Sequence, residues 1–476
     1  MAEGALEAQA GTPVAGISPR RFLLPLALAQ FICSFAGSNM NVMINDISDD
    51  LDTTVKGVQT AITLFLLIMA VLMIPGSKLT ERWGRKRCFM AGLMLYGVGA
   101  LLSAVSPGLG VLILGNSVFE GVGTALLIPP VYILTTMAFT DLTSRAKAFG
   151  AISGMGGIGA AAGPLIGGLL TTGISWRAAF LFQALVIVTI LLLSRRIVDP
   201  APPDPDRPFD TVGAVLSAVG MFCLVFAILQ IGTHNALSAV FAVVGGGFLT
   251  WFFLYIRGCE RKGKAPLLST ALFKNRTSNL ALVTQNIQWL LLTGTSFVVA
   301  VYLQTVRGYS AIGTGVIFTA TTLGLLVSSF AAGRLARKRA QRTLVVAGFV
   351  CTLAGIGMLI GLVLAWSSIF AFVPGLLLIG LGLGVMLTPS VNIVQSSFPE
   401  DEQEEISGLS RSISNLGSSL GTAIAGTILI SAVATGNTSY VWAMIALAIG
   451  GVIGLVAALF LPAEIGRRGH PAPVPP

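Results

Sequence analysis

The chain has 476 residues, a net charge of +9, and 54% apolar against only 10% charged side chains. A soluble domain carries roughly 25% charged residues, so an ordinary cytosolic fold is excluded. The five Cys and two His fall in no paired spacing, which excludes a disulfide framework and gives no metal site.

Apolar runs of about 18 residues or more recur from end to end. Each can cross a bilayer of about 30 Å as a helix, the form that satisfies its own backbone in lipid. The chain is therefore read as an all-α membrane protein embedded in the lipid bilayer. Residues 1–21 are expected to form a tail without a removable leader. Spans are expected near 22–45, 57–79, 88–106, 109–138, 148–170, 177–196, 211–232, 237–257, 278–305, 310–333, 343–365, 367–393, 406–432 and 439–461. Fourteen spans put both termini on one side. If that side is the cytoplasm, all of the 29 Lys and Arg except Lys56, Arg177 and Arg307 lie there or at the inner helix ends. This is the asymmetry expected of a membrane protein, so the net charge calls for no nucleic-acid partner. The expected division is 22–196, 197–277 with cytoplasmic linkers around two helices, 278–461, and a tail at 462–476.

In chain order, the first span carries Gln30, Ser34, Ser38, Asn41 and Asn45 at helical spacing, a polar stripe expected to line a cavity. After the second span comes GSKLTERWGRKR, with Gly76, Glu81, Arg82, Gly84, Arg85 and Lys86, and a looser copy, GRLARKRAQR, follows the tenth. A basic cluster after a helix also serves simply as a topology anchor. The fifth span carries Gly150, Gly159, Gly163, Pro164, Gly167 and Gly168; small residues allow close helix approach and Pro permits a bend. The ninth offers Gln285, Asn286, Gln288 and Trp289, also expected to line a cavity. In the thirteenth, Ser407, Arg411, Ser414, Ser418 and Thr422 read as helix–helix contacts. The run PEDEQEE before it reads as a solvated loop at a helix N-terminus.

These motifs resemble the 14-helix drug–proton antiporter family of the major facilitator superfamily, over essentially the whole chain. Gly76 to Lys86 resembles that superfamily's loop motif, with Glu81 in place of the usual Asp. Gly150 to Gly168 resembles the fifth-helix motif of its exporters. WRAAF, PLLSTALFKNRT and YLQTVRGYSAIGTGV resemble the 14-helix group. The resemblance implies two six-helix bundles around a cavity that opens alternately to each side, with two extra central helices between them. It also implies an inner gate at the Gly76–Lys86 loop.

The chain departs from that pattern where the family usually carries a first-helix Asp and a fourth-helix Arg. Ala36 and Ser117 stand there, and Glu120 replaces the usual Gln. Losing both members of a buried charge pair is physically coherent, since either alone would be an unpaired charge. Glu120 then lies about 16 Å into the fourth span, near mid-bilayer. Three roles stay open for it: a neutral acid hydrogen-bonded to Asn116 or a carbonyl, a proton-exchange site, or a contact for a cationic substrate. The leading expectation is a monomeric, proton-coupled exporter of small lipophilic molecules, cations among them. The alternatives are a lipid or metabolite carrier without antiport, and a non-transporting sensor. No nucleotide-binding loop or catalytic constellation is found, and neither cofactor nor enzyme activity is expected.

Overall fold

The computed structural model describes residues 19–139, 142–195, 203–206, 208–335, 339–366, 368–398, 403–431 and 437–462, together with Ile197 and Asp199. Residues 1–18 and 463–476 of the expected tails and residues 399–402 of the acidic run lie outside the described residues; residues 19–21 of the first tail belong to the first helix. Fourteen helices among the described residues are long and apolar enough to cross a membrane. We number them α1 (Pro19–Asn39), α2 (Val55–Trp83), α3 (Arg85–Ala104), α4 (Leu109–Ala138), α5 (Leu142–Gly173), α6 (Trp176–Ser194), α7 (Thr211–Leu229), α8 (Asn235–Arg261), α9 (Arg276–Val301), α10 (Ala311–Leu335), α11 (Gln341–Ala365), α12 (Val373–Gln395), α13 (Gln403–Ser431) and α14 (Asn437–Leu459). With fourteen crossings the start of α1 and the end of α14 fall on one face, called here the basic face.

Polar side chains start several of these helices by accepting backbone N–H groups that would otherwise be orphaned. Thr54 caps α2, Ser175 caps α6, Asp210 caps α7 and Asn275 caps α9. Between α2 and α3 the chain turns on a single residue, Gly84, at φ +96°, which a side chain would strain.

Helices α1–α6 form one bundle and α9–α14 repeat its plan: α1 on α5 matches α9 on α13, and α4 between α2 and α3 matches α12 between α10 and α11. The bundles meet along α2–α13 and α5–α10. Of the inserted pair, α7 lies over the α2–α13 seam, where Val225 and Leu229 pack with Leu67, Val71 and Ala423. Helix α8 packs on α7 at Gly245 and Leu224, and its outer face is apolar and exposed at Val243, Trp251 and Leu254.

One expectation needs correction. The first span does not run unbroken to residue 45: α1 ends at Asn39, a 3-10 turn holds Met40–Val42, and a short helix follows at Ile44–Asp50. Asn41 and Asn45 therefore leave the helical face shared by Gln30, Ser34 and Ser38.

Candidate functional site

Helix α4 is irregular where its acid sits. Residues Ile113–Glu120 form a π-helical segment, and Glu120 is its last residue. Such segments widen a helix by one residue per turn and occur often at functional sites. Glycines bring α3 close to this segment. A methyl group on Gly99 would stand 2.6 Å from the Gly115 carbonyl oxygen and 2.9 Å from Glu120 Cγ. Glu120 is fully buried against α3, and neither carboxylate oxygen has a hydrogen-bond partner. The Nδ2 of Asn116 is likewise buried without one. Tyr96 on α3 faces the acid, but its hydroxyl has a single proton, donated to Gln183 Oε1 on α6 at 2.6 Å. A bond from Glu120 to Asn116, one of the alternatives left open by the sequence, is not made.

The two positions of the missing charge pair are filled by packing. Ser117 Oγ donates to the Ala61 carbonyl on α2 at 2.7 Å, and Ala36 is buried in the core around α1. Cys33 Sγ reaches Thr124 Oγ1 at 3.9 Å, tying α1 to α4 one turn beyond Glu120.

A second polar group spans the two bundles. The Tyr132 hydroxyl on α4 donates to Gln30 Oε1 at 3.1 Å, and Gln30 Nε2 donates to Ser34 Oγ at 3.3 Å. Over the Tyr132 ring, from the other bundle, lies the Arg411 guanidinium, its Cζ 3.8 Å from the ring centre. Gln30, Ser34, Tyr132 and Arg411 are all half-buried.

At the face opposite the basic one, the bundles are closed onto each other. Gln304, on a π-helical turn (Tyr302–Val306) after α9, donates to the Asn41 carbonyl at 2.8 Å and accepts from the Asn45 backbone N–H at 3.3 Å. Beside it, a methyl on Gly168 would stand 2.6 Å from the Ala311 carbonyl oxygen. At the basic face, Lys78 Nζ on α2 pairs with Glu405 on α13 at 3.0 Å.

Two pseudo-symmetric bundles, joined along two helix pairs and enclosing polar residues from both, are the architecture of an alternating-access carrier. The sequence matches the Major Facilitator Superfamily over residues 26–422. The chain belongs to this superfamily. It is 29% identical over 431 residues to the puromycin resistance protein Pur8 of Streptomyces alboniger, covering 89% of this chain and 84% of that one. With the multidrug efflux pump LfrA of Mycolicibacterium smegmatis it shares 28% identity over 422 residues, 88% of this chain and 83% of LfrA. Its fold is similar to a crystal structure of a peptide transporter POT mutant with sulfate (TM-score 0.69, 15% identity, 97% and 98% covered). The protein is thus a multi-pass membrane transporter of the superfamily and not an enzyme.

The two short stretches that resemble the superfamily's motifs fall in distinct places. In the loop motif, Gly76 lets α2 pass α4: a methyl there would stand 2.4 Å from the Ala125 carbonyl oxygen, which lacks its usual donor because Pro129 has no N–H. Lys86 donates from its backbone to Asp199 at 3.2 Å and from Nζ to the Arg195 carbonyl at 3.0 Å, so it holds the end of α6. Arg82 is exposed, Arg85 Nε is buried without a partner, and the Glu81 side chain lies outside the described residues. Lys78, in the same segment but outside the expected set, reaches the other bundle. Its partner Glu405 shows that the acidic run does more than solvate a loop.

The fifth-helix motif is a packing seam with two faces. Methyl groups on Gly159 and Gly163 would collide with the Phe31 carbonyl and Ser38 Oγ of α1, and one on Gly167 would crowd Asn39. Pro164 and Gly168 face α10 at Gly315 and Ala311. Gly150 is exposed with open space around it, and nothing in the structure explains it.

The ninth-span amides go elsewhere than a free cavity wall. Gln285 donates to Ser414 Oγ at 2.8 Å and accepts from Ser410 at 2.9 Å. Gln288 donates to the Leu383 carbonyl at 3.2 Å and accepts from Ser390 at 3.1 Å, and Asn286 donates to the Ile413 carbonyl at 2.9 Å. Trp289 is half-buried. Sequence reasoning did not single out Tyr132 or Gln304, whose partners lie on other helices far along the chain.

Proposed function

We propose that this protein is a proton-coupled exporter of small lipophilic molecules, moving them through the space between its bundles by alternating access with its basic face in the cytoplasm. One observation carries the coupling: Glu120, a fully buried carboxyl with no hydrogen-bond partner, at the end of a π-helical segment in α4. An unpaired carboxylate anion in such a place is costly. The group therefore carries its charge only in a state that opens the α3–α4 contact, which links proton release to the change of conformation. The drug-resistance relatives support export as the direction. Burial against α3 argues against Glu120 as a direct contact for a cationic substrate. Alternating access requires the Gln304 contacts to break while the Lys78–Glu405 side of the seam persists or closes further.

The test is growth of a pump-deficient bacterium expressing the protein on a panel of lipophilic antibiotics, with intracellular drug measured before and after a protonophore. Resistance with lowered accumulation that the protonophore restores is the expected result. Faster equilibration of drug with no lowering of its steady-state level, unchanged by the protonophore, would favour a carrier without antiport, a reading that Ala36 and Ser117 at the usual charged positions support.

A further inference from the structure

We propose that Arg411 is the substrate-facing cation of the central site, and that the site takes planar aromatic molecules bearing an acidic group. The proposal rests on the exporter reading for the direction of transport, and on Arg411 itself for the chemistry.

The direction of the Arg411 side chain follows from its neighbours on α13. Ser412 Oγ donates to the Ala70 carbonyl and Gly408 sits over Ser77, so that edge of the helix faces α2. Ser410 and Ser414 bond Gln285, and Gly417 packs on Asn286, so another edge faces α9. At 100° per residue, Arg411 falls between these two edges, with Asn415 one turn further on the same side. It therefore points away from its own bundle, and the group it meets there is Tyr132 of the other one.

Arg411 lies six residues past Glu405, about 9 Å into the span. A charge at that depth is expensive and is normally matched by a partner. Among the described residues the ion pairs are Lys78–Glu405 and Arg177–Asp50, and Arg411 is in neither. Its contact with the protein is the face of a phenol ring, which offers a quadrupole and no formal charge. The acid nearest in kind, Glu120, is turned toward α3. A guanidinium presents five N–H donors in a planar fork that matches a carboxylate or a comparable anion.

The surroundings define the rest of the ligand. Tyr132, stacked on Phe149 with ring centres 5.8 Å apart, supplies a flat aromatic wall beside the fork. Gln30 and Ser34 supply polar edges, and Gly156 leaves them room: a methyl there would stand 3.1 Å from Gln30 Cγ and 3.4 Å from Ser34 Oγ. A planar aromatic anion can lay its ring on Tyr132 and its charge on Arg411, taking the place of the cation–π contact. A cation of the same shape meets a like charge.

The experiment uses the full-length protein in lipid nanodiscs and two dyes that share one planar ring system, the anion fluorescein and the cation rhodamine 6G, with binding read by fluorescence polarisation. Wild type should bind fluorescein saturably, and at least about tenfold more tightly than rhodamine 6G, the scale of a charge-assisted contact. Arg411→Gln should remove that preference, and Arg411→Lys, which keeps the charge without the fork, should retain part of it. Equal or tighter binding of rhodamine 6G to wild type, no saturable fluorescein binding, or fluorescein affinity within twofold of wild type in a folded Arg411→Gln protein would each overturn the assignment. The wild-type comparison can overturn the proposal without any variant, and where Arg411→Gln does not fold, Arg411→Lys decides the assignment: a preference undiminished from wild type overturns it. Fluorescein binding without any pH-driven dye movement in proteoliposomes would leave Arg411 assigned and sink the exporter reading instead.

Discussion

In the C-terminal bundle, the side-chain amides of Gln285 and Gln288 each donate one hydrogen bond and accept another, tying α9 to α13 and α12. In the N-terminal bundle, Glu120 and Asn116 on α4 are as deeply buried, yet the Glu120 oxygens and Asn116 Nδ2 meet no partner. All four residues are buried, so the difference is not a matter of depth. Polar groups that complete their bonds hold helices together. A buried acid that completes none is a cost to stability, and it persists where a change of protonation or conformation uses it. The contrast teaches where to look in a chain full of intramembrane polar residues: at the ones the fold does not satisfy.

Substitutions can break this contrast at different strengths. The largest effect is expected from Gly99→Leu. Its side chain would meet the Gly115 backbone and Glu120 together, with no rotamer that avoids the helix, and should cost about 3 kcal/mol or more. The readout is loss of monodisperse protein on size exclusion in detergent. Next, Gln285→Leu removes two helix–helix hydrogen bonds and should lower stability by about 1 kcal/mol, read as a fall in Tm, while leaving the pH dependence of transport intact. A Gln285→Leu protein that keeps its Tm but loses coupling would erase the distinction between the halves. The smallest effect belongs to Lys78→Ala. The Lys78–Glu405 pair is partly exposed, at 29% and 17%, so its contribution to stability is about 1 kcal/mol or less. Its expected signature is conformational: faster labelling of a cysteine introduced at Ser77 on the basic face, with restoration in the charge-swapped Lys78→Glu/Glu405→Lys double variant.

Much of the fold was legible in the sequence because lipid imposes a simple rule: long apolar runs, each a helix, with basic residues gathered on one side. The fourteen spans, the inserted pair and the superfamily follow from that rule and from the glycine motifs. The site was legible only in part. Glu120 announces itself as an acid in an apolar run, and Gln30 and Ser34 as a stripe. The pairing of Tyr132 with Arg411, and of Gln304 with the end of α1, joins residues more than 250 positions apart, with no periodicity to link them. The Gln285 and Gln288 stripe looked the same in sequence as the Gln30 stripe. Which face of a polar helix meets a neighbour and which meets the cavity is decided by packing between helices, and spacing along one helix does not encode it. The break of α1 at Asn39 was hidden for a related reason, since the polar residues beyond it happen to continue a helical period.

The central claim is that Glu120 couples a proton to transport. The most direct measurement is substrate uptake into proteoliposomes driven by an imposed pH gradient, with wild type, Glu120→Gln and Glu120→Asp compared at equal reconstitution and with Tm recorded for each. The account predicts gradient-driven accumulation in wild type, reduced accumulation in Glu120→Asp, and none in Glu120→Gln, which should still equilibrate substrate down its own gradient and should keep the wild-type Tm because the amide is a neutral isostere of the protonated acid. Glu120→Gln accumulating substrate like wild type, or a fall in Tm large enough to explain its failure, would contradict it.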